Sequence, residues 1–120
     1  MKKILVADDT DNGRELVRTV LENSGYQVYE AKDGLEALAS AHQVLPDLII
    51  LDLHMPGLDG FGVLEQLRRE EAFAATPVMA LTASAMMGDK ERALAIGFNG
   101  YITKPIRLAA LRREIARLLG

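Results

Sequence analysis

Short runs of uninterrupted apolar residues alternate along the chain with longer stretches in which apolar residues recur at helical spacing. Residues 4–7, 48–51 and 78–81 are apolar blocks with no polar face. A strand hidden on both sides has that pattern. Gln27–Ala31 mixes polar and apolar positions, as an edge strand does, and Gly100–Thr103 is a short run behind the turn-like Phe98-Asn99-Gly100. Between the strands the spacing predicts helices. Asn12 and Glu15 are placed as a capping box, Asp33 and Glu36 repeat that spacing, and Gly25 stands where a helix C-terminal glycine belongs. Apolar stripes run through Leu16, Val17, Val20 and Leu21, through Phe61, Leu64 and Leu67, and through Leu108, Leu111, Ile115 and Leu118.

Strand and helix alternate five times, which predicts right-handed βαβ crossovers: an α/β fold with a parallel central sheet and helices on both faces. The length of 120 residues accommodates one domain with a core of its own. No cysteine is present, so thiol chemistry and disulfides are excluded, and a reducing compartment such as the cytoplasm is expected. No apolar run exceeds four residues, far short of a membrane span or a signal-peptide core, so no membrane association is expected. Fourteen Lys and Arg stand against seventeen Asp and Glu, a net charge of -3, which together with 5% aromatic residues argues against direct nucleic-acid binding.

In a sheet of this kind ligands bind outside the carboxyl ends of the strands. Asp8, Asp9, Thr10 and Asp11 follow the first strand, and Asp52 followed by His54-Met55-Pro56-Gly57 follows the third. Taken singly, Asp9 and Asp11 read equally well as helix caps, and His54 as a solvent-facing loop residue rather than a zinc ligand. Asp52, directly behind an apolar strand, has no cap to form. Carboxylates crowded at one rim raise one another's pKa unless a cation compensates, and an all-oxygen donor set suits a hard ion, Mg²⁺ being the natural candidate. Thr82, Ala83 and Ser84 follow the fourth strand and Lys104-Pro105 the fifth. Alone, Thr82 would read as a cap and Lys104 as a surface charge. Together with the acids they supply a nucleophile, a metal site, a hydroxyl and a fixed cation, the parts of a phosphoryl-transfer centre.

The chain closely resembles the receiver domain of two-component response regulators over essentially its full length. The resemblance rests on Asp8-Asp9 behind the first strand, Asp52 with Met55-Pro56 and Asp59-Gly60, Leu81-Thr82-Ala83, and Gly100 to Pro105. It implies a flavodoxin-like three-layer sandwich with strand order 2-1-3-4-5, residues 1–120 forming one receiver domain. It also implies that Asp52 accepts a phosphoryl group from a histidine kinase or histidine phosphotransfer protein. By the same likeness Asp9, Asp52 and the backbone carbonyl of His54 hold Mg²⁺, and Asp8 assists through a metal-bound water. Lys104 pairs with the phosphoryl group, Thr82 hydrogen-bonds it, and the Lys104-Pro105 bond is cis. Such a protein is a signalling domain that assists its own phosphorylation and dephosphorylation. Thr82 and Tyr101 are the expected switch pair, remodelling the face of the fourth helix, fifth strand and fifth helix for a downstream protein. His54 and Ser84, which flank the path of an attacking water, are expected to set the lifetime of the acyl phosphate.

Two other readings fit less well. A haloacid-dehalogenase-like phosphatase needs a second Asp two residues after the nucleophile, where His54 stands, and a nucleophile after the first strand. A flavodoxin-like FMN binder needs a phosphate-cradling first loop, which Asp8, Asp9 and Asp11 would make repulsive. The opening Met1-Lys2-Lys3 suggests a natural start and Gly120 leaves a longer protein open, so both a free-standing regulator and a receiver from a larger chain are compatible.

Overall fold

A computed structural model describes residues 1–83 and 89–119. It contains strands β1 (Lys3–Ala7), β2 (Gln27–Ala31), β3 (Leu48–Asp52), β4 (Val78–Thr82) and β5 (Gly100–Thr103). Helices α1 (Asp11–Asn23), α2 (Gly34–Val44), α3 (Gly60–Arg68), α4 (Asp89–Ile96) and α5 (Leu108–Leu119) alternate with them, and a 3₁₀ turn at Glu71–Phe73 precedes β4. All pairings are parallel, in the order β2-β1-β3-β4-β5, as expected.

The apolar blocks became strands because each strand residue must bury on one face or the other. Leu5, Ala7, Ile49, Leu51, Val78 and Ala80 point into one core, covered by α2, α3 and α4 through Ala37, Ala41, Val63, Leu64, Leu67 and Ala93. Their neighbours Ile4, Val6, Leu48, Ile50, Met79 and Leu81 point into the other, covered by Val17, Val20 and Leu21 of α1 and Leu111 and Ile115 of α5.

The helix signals held in part. Asp33 caps α2 by accepting from the Glu36 amide at 2.8 Å, and Glu36 returns a bond to the Lys32 amide at 3.2 Å. Gly25, at φ +92°, closes the end of α1 in the left-handed region that glycine enters without a Cβ penalty. The Asn12–Glu15 box is not used: the cap position is Thr10, two residues earlier, and α1 begins at Asp11. The Thr10 hydroxyl is drawn away to the Asp8 carboxylate, so no side chain caps that helix. Leu16 and Leu108 leave the predicted stripes, 45% and 41% exposed, because one sits at the margin of its apolar arc and the other at the first position of α5.

Gly60 is the point where α3 meets the end of β3. A Cβ there would lie 2.5 Å from the carbonyl oxygen of Asp52 and 3.0 Å from Leu53 Cα, both backbone atoms with no freedom to yield. At Gly62 the clash, at 2.4 Å, is with the Leu58 Cδ1 methyl, the far end of a flexible side chain. Gly60→Ala is therefore expected to lower unfolding free energy by about 1–3 kcal/mol, the usual overpacking cost. Gly62→Ala should cost clearly less; urea midpoints of the two variants check the difference.

Candidate functional site

The strand register assembles the rim. Ala7 pairs with Leu51, so Asp8 and Asp52, one residue further on, end side by side. Asp52 pairs with Leu81 and Thr82 with Thr103, which places Thr82 beyond Asp52 and Lys104 beyond Thr82. Two backbone bonds extend the ladder past the strands: Leu53 N–H donates to Leu81 O at 2.9 Å, and Lys104 N–H to Thr82 O at 2.7 Å.

The Lys104 ammonium lies between the two acids. Its Nζ donates to Asp52 Oδ2 at 3.1 Å and stands 2.9 Å from Asp8 Oδ2. The second contact is an ion pair set off the hydrogen-bond direction, since Asp8 Oδ2 is a buried atom that accepts no hydrogen bond. Asp8 is fully buried, Asp52 is 4% exposed, and Asp9 is open to solvent. Asp8 Oδ1 accepts from both the amide and the hydroxyl of Thr10 at 2.9 Å, and Asp52 Oδ1 accepts from the His54 amide at 3.0 Å.

These contacts separate the two carboxyls electrostatically. Burial pushes Asp8 up, but the Thr10 amide, Lys104 and the Thr10 hydroxyl outweigh it and hold its carboxyl below the ordinary value. At Asp52 burial prevails: its carboxyl is raised despite the His54 amide and Lys104, and the Asp8 charge pushes the same way. Burial would lower Lys104, yet its contacts with Asp8 and Asp52 raise it, so the ammonium is firmly charged.

Asp8, Asp9 and Asp52 each present a carboxylate oxygen within 4.8 Å of the others. Three carboxylates against one lysine leave the rim negative, and Asp8 Oδ2 is short of a hydrogen bond. An all-oxygen set with an under-satisfied buried member fits a hard divalent cation such as Mg²⁺. Thr82 is buried at the end of β4, Tyr101 is half-buried against the α2–α4 core, and the Lys104-Pro105 bond is cis, as the resemblance implied. His54 presents an exposed side chain, while Ser84 lies outside the described residues.

Two contributors escaped the sequence reading. Thr10 holds Asp8 through two bonds, and Arg14 clamps the same turn by donating from Nη1 to the Asp8 carbonyl at 2.7 Å while pairing with Asp11 and Glu30. Thr two residues after Asp is the one available signal, because an Asp side chain often bonds the backbone two residues on.

A family model for the response regulator receiver domain matches residues 4–116. The chain is 41% identical over 119 residues to the DNA-binding dual master transcriptional regulator RpaA of Synechocystis, covering 99% of this chain but 49% of that protein, so it spans about half of RpaA. It is 37% identical over 119 residues to the polar-differentiation response regulator DivK of Brucella ovis, covering 99% of this chain and 97% of DivK. Among solved structures, the receiver domain of the Pseudomonas aeruginosa sensor histidine kinase PA1611 superposes with a TM-score of 0.91 at 34% identity, covering 99% and 98% of the two chains; that domain carries a magnesium ion coordinated in its active-site cleft.

The opposite shifts at Asp8 and Asp52 give opposite stability effects. Folding raises the Asp52 pKa, so stability from this group falls as pH rises from the ordinary carboxylate range through the raised value, and above that window ionised Asp52 is a net cost. Folding lowers the Asp8 pKa, so its contribution is present above the ordinary range and is lost as pH falls through the lowered value. In EDTA at pH 7, Asp52→Asn is expected to raise the urea midpoint and Asp8→Asn to lower it. Both differences should shrink on acidification into the carboxylate range.

Proposed function

The chain belongs to the response regulator receiver domain family of two-component signalling, and from that premise we propose that Asp52 is its phosphoacceptor. The observation that supports the reading best is the Lys104 ammonium held against Asp52 and Asp8 at the ends of three separate strands. In this reading residues 1–120 form one receiver domain acting in the cytoplasm, and the phosphoryl donor is a histidine kinase or histidine phosphotransfer protein.

An Asp52 carboxylate oxygen forms the new O–P bond as the N–P bond of the donor phosphohistidine breaks, its electron pair leaving with the imidazole. A carboxylate approaching an anionic phosphoryl group meets charge repulsion. Lys104 offsets part of it, and the Thr82 hydroxyl, one residue along the next strand, would donate to a phosphoryl oxygen. Asp9, Asp52 and the His54 carbonyl would hold Mg²⁺, with Asp8 acting through a bound water; the ion supplies the remaining charge neutralisation. The same groups would serve the later hydrolysis of the acyl phosphate, in which water attacks phosphorus and the Asp52 carboxylate leaves, and His54, whose side chain is exposed, is expected to influence its rate.

The phosphoryl group adds about -1.5 to -2 charge units and three acceptor oxygens, an addition that favours a rearranged Thr82 and Tyr101. The face those residues control is α4-β5-α5. A groove of about 380 Å³ already runs there, lined by Lys90, Leu94, Tyr101 and Arg113 among others, and is the proposed site of the downstream protein. The net charge of -3 argues against direct contact with nucleic acid.

Incubation with Mg²⁺ and acetyl phosphate should add one phosphoryl mass to the intact protein, and none to Asp52→Ala or in EDTA; equal labelling of Asp52→Ala would reject the assignment. Lys104→Ala should slow labelling about 10²–10³-fold, the loss seen when one preorganised charge-stabilising group is removed. Tyr101→Ala should label normally but lose the phosphorylation-dependent gain in partner affinity. If its partner binding still responds as wild type does, Tyr101 has no switching role.

A further inference from the structure

Helices α3 and α4 stand side by side over the same core and leave between them a groove of about 550 Å³. Its apolar lining comes from Phe61 and Leu64 of α3 and from Ile96 of α4, which is 46% exposed. Phe61 is held edge-to-face by Phe98, and the Arg92 guanidinium lies 4.3 Å above its ring centroid. Stacking fixes the plane of Arg92 without using its N–H groups, and among the described residues Arg92 makes no ion pair, so those donors remain for a carboxylate. Across the groove Arg69 pairs with Glu65 one turn away at 2.7 Å, both side chains more than 60% exposed (66% and 68%). That surface pair is weak and exchangeable.

Arg68 has a different part. Its guanidinium donates to the carbonyls of Phe73 and Thr76 at 2.7 and 2.9 Å and to Asn99 Oδ1 at 2.9 Å. It thereby ties the end of α3 to the segments that precede β4 and β5. Three arginines against one glutamate make the groove positive on a chain whose net charge is -3. It is also separate from the α4-β5-α5 groove, since Lys90 and Leu94 line that one while Arg92 and Ile96 line this.

We infer that the α3–α4 groove docks a short acidic segment of a partner protein, one large apolar side chain entering between Phe61 and Ile96 and flanking carboxylates reaching Arg92 and Arg69. Charge complementarity selects the acid, and the apolar lining selects a peptide over a bare polyanion. A second copy of this chain is the alternative occupant that the titration separates.

The test is an NMR titration of the ¹⁵N-labelled full chain, without phosphodonor, using an acetylated and amidated peptide in which Leu-Phe is flanked by glutamates. The expected result is shift changes centred on Phe61, Glu65, Arg69, Arg92 and Ile96, with binding weakened about tenfold or more by Arg92→Glu and less by Arg92→Gln. Polyglutamate of the same length should bind at least about tenfold more weakly. Both variants should still acquire the phosphoryl group with Mg²⁺ and acetyl phosphate, showing that the fold survives. The inference is overturned by shifts at Lys90, Tyr101 and Arg113 instead, by equal binding of polyglutamate, or by no shift. It is equally overturned if the groove resonances move with protein concentration alone, which would assign the groove to a second copy.

Discussion

Two carboxylates buried side by side would drive each other to protonate, and the single ammonium of Lys104 placed between Asp8 and Asp52 is what allows the rim to exist in its ionised form. The sheet register brings this about. Residues at the ends of β1, β3 and β5 are brought to one rim, with β4 lying between the last two, so the acids and the lysine meet without any loop having to search for the geometry. The compensation is deliberately incomplete in the physical sense: one positive charge faces three carboxylates, and Asp8 Oδ2 still accepts no hydrogen bond. A rim with that deficit is poised for a divalent cation and, in the proposed function, for a phosphoryl group whose charge Lys104 shares.

The two acids are adjacent in space and unlike in chemistry. Thr10 gives Asp8 two donors, and Arg14 pins the turn that carries it, so the Asp8 carboxyl is held below its ordinary value. Asp52 has one backbone donor and one lysine contact, and burial dominates its balance. In the proposed function that asymmetry separates Asp52, the nucleophile, from Asp8, the supporting acid.

Most of the architecture was legible because a parallel sheet covered on both faces demands strands with no polar side, and residues 4–7, 48–51 and 78–81 satisfy that demand plainly. The rim residues were legible because strand ends are where such a sheet places its chemistry. Contacts made by long side chains across the fold were not. Nothing near Arg68 in sequence announces that it will reach the Phe73 and Thr76 carbonyls and the Asn99 side chain, and the competition between capping α1 and holding Asp8 at Thr10 is decided only once the carboxylate is buried beside it. Margins of apolar stripes were misjudged for a related reason: Leu16 and Leu108 follow the period, but one lies at the edge of its apolar arc and the other at the first position of α5, where the period alone does not guarantee cover.

Helix α4 shows how a charge event at the rim can become a change of surface. Helix α1 is anchored by Val17, Val20 and Leu21, whereas Ala93 is the buried side chain that secures α4 among the described residues. Leu94 and Ile96 remain 44% and 46% exposed on its two flanks, so little apolar area resists a small rotation or slide. The restraint comes instead from its C-terminal end, where Phe98 is buried against Phe61 and Gly97 turns the chain at φ +119° toward Asn99. Lys90 and Leu94 border one groove and Arg92 and Ile96 the other, so α4 is common to both, and a ligand that bound one position of the helix better than another would be felt in both grooves.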